Sequence, residues 1–257
     1  METALTIAGS DSGGGAGIQA DLKTFAAHGV FGTSAITAIT AQNTLGVLAV
    51  HALPPDLVAA QIDAVTSDLP PRAVKIGMLA NAAIVVAVAA RLRAFAAPVV
   101  LDTVMVAKGG ASLLDADAVD AIRRELIPIA AVVTPNVPEA EALTGLSIRS
   151  VAGLRDAAAR LVAAGARAAV VKGGPLEGPA VDILFDGQTF TVLRAERVAT
   201  RHTHGTGCTF SAAIAARLAR GDDLLTAVRG AKDYITRAIA QAPGLGGGHG
   251  PVQHFPR

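Results

Sequence analysis

Short runs of apolar, often β-branched residues alternate along most of the chain with longer stretches rich in alanine. Most of these runs lack the regular apolar–polar alternation of a half-exposed strand, which is typical of strands covered on both faces. Turn-forming or charged residues bound most of them. The predicted strands are residues 5–8, 34–40, 73–76, 99–101, 131–134 and 168–171. This pattern indicates a mainly parallel sheet.

The alanine-rich stretches carry helical patterns between these strands. The predicted helices are residues 18–27, 54–69, 81–95, 116–126, 150–164 and most of 205–240. We expect Ser150 to be an N-cap, because its hydroxyl can accept from a free backbone amide of the first turn. Strands that alternate with helices form βαβ units, so we expect an α/β fold with helices on both faces of the sheet.

One segment has a different pattern. Residues 181–185 and 190–193 are apolar runs on either side of Asp186-Gly187, which favours a β-hairpin. We therefore expect a small antiparallel edge on the sheet. No linker rich in serine, glycine or proline divides the chain and no repeat appears, so we expect a single domain over residues 1–257.

Composition excludes several classes of function. With 51% hydrophobic and 17% charged residues, the chain is not intrinsically disordered. Its 22 Lys and Arg balance 21 Asp and Glu, so no cationic field attracts nucleic acid. The longest uncharged run, residues 29–50, holds polar side chains that are costly in a bilayer, so we expect no membrane partner. Cys208 is the only cysteine and the N-terminus lacks a basic leader, so we expect a cytoplasmic protein.

Two glycine-rich segments could cradle an anion. Residues 9–17 join the first predicted strand to the first helix and contain five glycines, which let a backbone approach a ligand closely. Residues 203–209 lead into an apolar helix, where Gly205 and Gly207 free the amides to converge and the helix dipole favours negative charge. We expect this position to lower the pKa of Cys208. The alternatives are a flexible surface loop and a buried structural cysteine.

Polar residues at predicted strand ends extend this chemistry. In open parallel sheets, ligands bind beyond the carboxyl ends of the strands, where Asp102 and Lys172 lie. Asn136 and Glu139 are one helical turn apart after another strand and could position hydrated Mg²⁺. The alternatives are a merely solvated lysine and a glutamate that only compensates the helix dipole. Anion cradles, a lysine and carboxylates together suit phosphoryl transfer.

Eight sequence motifs are spread over essentially the whole chain. They lie at residues 6–21, 40–44, 75–79, 104–108, 134–139, 172–174, 204–209 and 248–251. In this order they resemble the hydroxymethylpyrimidine/phosphomethylpyrimidine kinases of thiamine biosynthesis, in the ribokinase-like superfamily. The resemblance implies a ribokinase-like fold and transfer of the ATP γ-phosphate to 4-amino-5-hydroxymethyl-2-methylpyrimidine. It also implies a second phosphorylation, of the monophosphate to the diphosphate.

The resemblance implies a role for each residue of the substrate pocket. Gln42 would hydrogen-bond the pyrimidine, and Gly9, Asp21 and Met78 would complete its pocket. A ring with amino and nitrogen edges needs paired donors and acceptors, which glutamine and aspartate supply. The family is commonly dimeric, so a homodimer is expected.

A catalytic group is implied in the same way. Cys208 takes the place where sugar kinases of the superfamily carry a catalytic aspartate, and it would activate the hydroxyl of the substrate. The negative charge that develops during transfer would be stabilised by the backbone amides of Gly205, Thr206, Gly207 and Cys208. Lys172 would contact the phosphates.

The nucleotide site is implied by a further set of residues. Asn136 and Glu139 would organise ATP through Mg²⁺, with the metal held through water. Lys232 would contact phosphates together with Lys172, and Asp102 would lie beside them. ATP and Mg²⁺ are therefore the expected cofactors.

The sequence departs from the family pattern at Thr103, Gly109, Ala111, Pro175 and His202. Thr103 and Gly109 replace residues that would restrict the loop after Asp102, so we expect a looser loop there. We expect altered rates or an altered balance of the two phosphorylations, with the reaction class unchanged. Steady-state kinetics of the triple variant Thr103→Pro, Gly109→Ser, Ala111→Asp tests this, and an unchanged kcat/KM for both steps would contradict it.

Two other functions fit the same motifs. Some close relatives phosphorylate the hydroxymethyl group of pyridoxal with the same cysteine-type site, and a few pocket side chains decide between the two vitamins. Met78 and Gln42 favour the pyrimidine. A pyrimidine-binding regulator without turnover is the other alternative. The intact residues 205–208, Asn136, Glu139 and Lys172 argue against it, because a copy without turnover tends to lose these first.

Overall fold

The computed structural model describes residues 1–105, 116–174, 176 and 178–257. Among these residues, nine strands form one sheet. The strands are β1 Thr3–Asp11, β2 Phe31–Asn43, β3 Gly46–Ala52, β4 Ala73–Ile76, β5 Val99–Leu101, β6 Val132–Val133, β7 Ala169–Lys172, β8 Ala180–Phe185 and β9 Phe190–Ala195. The α-helices among the described residues are α1 Gly17–Ala27, α2 Pro55–Asp68, α3 Ala82–Leu92, α4 Ala116–Ala121, α5 Val137–Thr144, α6 Val151–Ala163, α7 Thr206–Ala219 and α8 Leu224–Ala240.

The strand order confirms the predicted α/β fold. It runs β3-β2-β1-β4-β5-β6-β7-β8-β9. The six consecutive strands β2, β1, β4, β5, β6 and β7 are parallel to one another. The β8–β9 hairpin forms the antiparallel edge that its sequence predicts. A second antiparallel strand, β3, lies at the other edge and was not predicted. Within the described part of the chain it pairs with β2 alone and is largely exposed, so it lacks the apolar run of a doubly covered strand.

Alternate side chains of the central strands enter two separate cores. Leu5 and Ile7 of β1 pack on one face of the sheet, whereas Ala4 packs on the other. In β5, Val99 and Leu101 pack on the same face as Leu5 and Ile7, and Val100 packs on the opposite face. Helices α2 to α6 cover the first face, and α1, α7 and α8 cover the second. Because both faces are buried, the strands read as continuous apolar runs in the sequence.

Helix boundaries follow local capping chemistry. Ser150 accepts from the amide of Gly153 at 3.3 Å, as its sequence position predicts. Asn81 caps α3 by accepting from the amide of Ile84 at 3.0 Å. After α4 the chain continues as a π-helical turn over Ile122–Leu126. In the described part of the chain, no helix has both the length and the apolar character needed to cross a bilayer.

The fold brings several chain segments to one edge of the sheet. The carboxyl ends of β1, β4, β5, β6 and β7 all open toward this edge, because these strands are parallel. Three helices begin there: α1 follows the glycine loop after β1, α5 follows β6, and α7 begins beside them. Ligand sites of open α/β sheets lie at such an edge.

Candidate active site

A cavity of about 690 Å³ opens at the carboxyl edge of the sheet. Its walls contain every residue that the sequence assigned to a site, with one exception. These wall residues are Gly9, Gln42, Met78, Asp102, Asn136, Glu139, Lys172, Gly205, Thr206, Gly207, Cys208 and Lys232. Gly9 and Met78 touch, since a Cβ on Gly9 would lie 2.9 Å from the Met78 sulfur.

Asp21 is the exception, and its expected place in the pocket needs correction. It is fully buried in α1, where its carboxylate accepts from Lys75 Nζ at 2.8 Å and from the Thr6 hydroxyl at 2.6 Å. Lys75 lies between Asp21 and the cavity and is itself a wall residue. Burial alone would lower the pKa of Lys75, but the adjacent Asp21 carboxylate raises it above its ordinary value. Asp21 therefore holds a buried cation at the cavity.

Sequence reasoning included Lys75 in a motif but gave it no role. The available signal was a charged residue in the middle of an apolar strand, 73–76. A lysine is almost never fully buried without a partner, so its presence there indicated a buried acid nearby. Which acid it meets is decided by the packing of α1 on the sheet, 54 residues away in the chain.

The glycine turn before α7 forms an anion cradle. Gly205 has a φ of 79°, and a Cβ there would lie 1.8 Å from the carbonyl oxygen of Gly15. The first helical hydrogen bond runs from the amide of Thr209 to Gly205 O at 2.8 Å. Among the described residues, the amides of Gly207 and Cys208 meet no acceptor. These two amides lie in the first turn of α7, at the end of the helix where its dipole favours an anion.

A cation lies directly beside this cradle. A Cβ on Gly207 would be 3.4 Å from Lys172 Nζ and 3.6 Å from an oxygen of Asp102. Lys172 donates to Asp102 at 3.3 Å, and Ser211 donates to the same carboxylate at 3.1 Å. Burial alone would lower the pKa of Lys172, but Asp102 and Glu139 raise it, so the ammonium stays charged.

Asn136 and Glu139 form a capping box at the start of α5. The Asn136 side chain accepts from the amide of Glu139 at 2.9 Å, and Glu139 Oε2 accepts from the amide of Asn136 at 3.0 Å. Glu139 is nearly fully buried, and this burial raises the pKa of its carboxyl. Both residues therefore have a structural role as well as a place on the cavity wall.

The departures from the family pattern fall in different places. Thr103 is buried, and its hydroxyl donates to Glu139 Oε2 at 3.2 Å, a hydrogen bond that proline cannot make. His202 packs against Gly250, where a Cβ would lie 2.4 Å from the His202 ring. Gly109, Ala111 and Pro175 lie outside the described residues. The kinetic effect of the departures stays a prediction.

Lys232 lies on another part of the wall, in α8. It is buried and donates to Asp182 Oδ2 at 2.7 Å. The other oxygen of Asp182 accepts from the amide of Gly173 at 3.1 Å, directly after Lys172. The Lys232–Asp182 pair therefore links α8 to the backbone directly after Lys172.

The thiol of Cys208 does not behave as its sequence position predicts. Burial raises its pKa to about 11, although Lys75 and a hydrogen bond from the amide of Gly17 act in the opposite direction. The expectation of a lowered pKa was therefore wrong. Desolvation by burial is the largest effect on the thiol, and Asp21 and Asp102 raise its pKa further.

Two further wall residues, Asp11 and His204, lie in the motifs 6–21 and 204–209, and the sequence indicated no role for either. The Asp11 carboxylate accepts from the amides of Gly13 at 2.8 Å, Gly15 at 3.1 Å and Ala16 at 2.8 Å. His204 Nε2 lies 2.8 Å from Asp11 Oδ2. Burial would raise the pKa of Asp11, but His204 and these amides hold it below its ordinary value. An aspartate inside a glycine loop was the available signal.

Two converging glycine loops, a cradle of helix amides and a flanking lysine at the edge of a parallel sheet define a kinase of ribokinase-like fold. The sequence profile of the family described as phosphomethylpyrimidine kinase matches residues 11–253. The chain belongs to this family.

Similar proteins support the same family membership. The chain is 52% identical to the hydroxymethylpyrimidine/phosphomethylpyrimidine kinase of Haemophilus influenzae, over 99% of this chain and 97% of that protein. It is 55% identical to the thiamine biosynthesis bifunctional protein of Geobacter sulfurreducens, over 98% of this chain, which spans about half (52%) of that protein. Among solved structures, the ADP complex of Bacillus subtilis pyridoxal kinase is 40% identical, with a TM-score of 0.91 and coverage of 99% and 97%.

The cradle geometry predicts different outcomes for its two glycines. Gly207→Ala should fold normally, since the added methyl group meets neighbours at 3.4 Å or more, but it fills the space before Lys172. We expect kcat/KM to fall about 100-fold, as when one oxyanion donor is lost. Gly205→Ala should instead lower the melting temperature, because it clashes with Gly15 and places alanine at positive φ.

Thermal unfolding and steady-state kinetics of both variants check this. Equal destabilisation by the two alanines would contradict the assignment, and so would wild-type turnover in Gly207→Ala.

The raised pKa of Cys208 predicts slow alkylation at neutral pH. Only the thiolate reacts, and with a pKa of about 11 its fraction at pH 8 is roughly one in a thousand. Because the chain has one cysteine, mass spectrometry of iodoacetamide-treated protein reports this residue alone. The logarithm of the rate should rise with pH without levelling up to about pH 9.5. A rate that levels off by about pH 9.5 would show an ordinary or lowered pKa, and urea-unfolded protein is the reference.

Proposed function

We propose that this protein transfers the γ-phosphate of ATP to 4-amino-5-hydroxymethyl-2-methylpyrimidine and then phosphorylates the monophosphate to the diphosphate. The observation that carries the proposal is the cradle of Gly207 and Cys208 amides with Lys172 Nζ beside it, in the same cavity as Gln42. The similarity of the whole chain to kinases named for these two substrates supports it.

The chemistry follows from charge and position. As the hydroxyl oxygen attacks the γ-phosphorus, negative charge builds on the transferred phosphoryl oxygens, and preorganised amides and Lys172 stabilise it. Cys208 would take the proton of the hydroxyl. Only the thiolate of Cys208 can accept that proton, and its fraction is small at neutral pH because burial raises the pKa of the thiol. Lys75, held charged by Asp21, favours the thiolate at that moment.

The donors at the nucleotide end fit Mg²⁺ that arrives with ATP. Among the described residues, no group of three or more His, Cys, Asp or Glu side chains is placed to hold a metal by itself. Mg²⁺ usually takes one or two carboxylates together with water and phosphate oxygens. Glu139 and Asp102 are two of the carboxylates that line the cavity, and Asn136 adds an amide. These residues would hold the metal, which neutralises phosphate charge when bound.

Phosphorylation of pyridoxal is the second candidate function. The similarity to Bacillus subtilis pyridoxal kinase supports it, since the two chains share the fold over nearly their full length. Gln42 and Met78 on the wall favour the pyrimidine, because a glutamine amide can pair with both a ring nitrogen and an amino group. A pyrimidine-binding regulator without turnover is less favoured, because the whole cradle is present.

The decisive experiment offers both acceptors in parallel. Mass spectrometry of purified protein with Mg²⁺–ATP should show the mono- and diphosphorylated pyrimidine, and Cys208→Ala should lower their formation at least 100-fold. Pyridoxal phosphate as the sole product would contradict the proposal in favour of pyridoxal. Tight pyrimidine binding without product would favour the regulator.

We further propose that the protein is a homodimer through the β3 edge. Leu45 and Leu48 are more than 70% exposed there, beside the half-exposed side chains of Val50 and Ile39. An apolar edge strand with unpaired backbone groups is an open template for another strand, and a second copy would present the same surface by two-fold symmetry.

Sedimentation velocity at micromolar concentration should give a dimer for the wild type and a monomer for Leu48→Lys. Val86→Lys, on α3, changes a valine that is also exposed and should leave the dimer intact. A monomeric wild type would rule out this assembly.

A further inference from the structure

The ring of His204 joins three walls of the cavity. Its Nε2 lies 2.8 Å from Asp11 Oδ2 and 3.1 Å from the side-chain amide of Gln42. Its ring packs against Gly15, where an added Cβ would be only 2.5 Å from His204 Cδ2. His204 also precedes Gly205, the first residue of the cradle. The ring is thus in contact with both glycine loops and with the residue expected to read the substrate.

A single imidazole nitrogen cannot donate to one polar neighbour and accept from the other. Asp11 is a carboxylate that already accepts three amides, and its pKa is below the ordinary value, so it can only accept from His204. Nε2 therefore carries a proton and donates. A donor nitrogen cannot also accept from the NH2 of Gln42, which is the amide end placed 3.1 Å away.

A second conflict lies at the other end of the same amide. The Thr40 hydroxyl donates to Ser10 O at 2.9 Å, so its only proton is used. Its oxygen lies 3.3 Å from Gln42 Oε1, which would bring two acceptors together. A half turn of the amide exchanges its nitrogen and oxygen positions and removes both conflicts. The NH2 then donates to Thr40, and the carbonyl accepts from His204.

We infer that the Asp11–His204 pair is a positioning device that fixes the Gln42 amide with its carbonyl toward His204 and its NH2 toward Thr40. Gln42 then presents a donor and an acceptor in one fixed order along the cavity wall. A ligand edge with a ring nitrogen beside an amino group matches such an order, whereas pyridoxal has no amino group to donate. The pair therefore acts on selectivity for aminopyrimidines, and this role rests on the proposed function.

Two substitutions of His204 distinguish its role as a hydrogen-bond donor from the space that its side chain fills. His204→Gln keeps an NH2 that reaches the Nε2 position and can donate to both Asp11 and Gln42, whereas His204→Met fills similar space without a donor. Calorimetric titration with the hydroxymethylpyrimidine in the absence of ATP should give a Kd within threefold of wild type for His204→Gln. For His204→Met it should be about tenfold weaker, with KM raised more than kcat is lowered.

His28→Gln is the matched control. His28 is also partly buried and hydrogen-bonded, through Thr24 O, but it packs on Tyr234 away from the cavity. It should leave Kd unchanged. Wild-type affinity in His204→Met would overturn the inference, as would equal weakening by both His204 variants.

The tautomer itself gives an independent readout. Nitrogen-15 spectra of histidine-labelled wild type, with His204→Gln to assign the signal, should show a protonated Nε2 at His204. An unprotonated Nε2 would overturn the inference even where His204→Met fails to fold. This spectrum needs no substrate, so absence of pyrimidine phosphorylation in the wild type would refute the proposed function and leave the tautomer result standing.

Discussion

The close approach of Gly205 to the carbonyl of Gly15 is the constraint on which the site depends. No side chain fits between them, and Gly205 adopts a left-handed conformation that glycine tolerates best. This contact places the N-terminus of α7 against the loop that precedes α1. The cradle amides, the Cys208 thiol and the Asp11–His204 pair all take their positions from it, because each is held by one loop and touches the other. The geometry of the active site therefore depends on how closely the backbone at Gly205 packs against the backbone at Gly15.

Three lysine–aspartate pairs surround the cavity, and each lysine comes from a different element. Lys75 pairs with Asp21, Lys172 with Asp102 and Lys232 with Asp182. The carboxylates raise the pKa of Lys75 and of Lys172 against the effect of burial, so these two lysines stay charged. The cations are thus set in place by the folded protein before any ligand arrives, which is the arrangement that electrostatic catalysis requires.

Local patterns were sufficient for most of the fold. The apolar runs of the central strands and the Asp186-Gly187 turn are short-range signals, and the parallel sheet and the β8–β9 hairpin follow from them. The β3 edge was missed because a strand with one neighbour and two exposed faces has no burial pattern to find. The wall residues at strand ends were predictable, since parallel strands bring their carboxyl ends together whatever the loops contain.

By itself, then, the sequence determined the fold class, the glycine cradle and the family, because these depend on residues close together in the chain. Tertiary structure alone decided which polar groups meet. Asp21 lies behind Lys75 and not in the cavity, and Asp11 meets His204 across 193 residues. The raised pKa of Cys208 was decided in the same way, because desolvation depends on everything packed around the thiol and outweighs the lowering effect of Lys75 and the Gly17 amide.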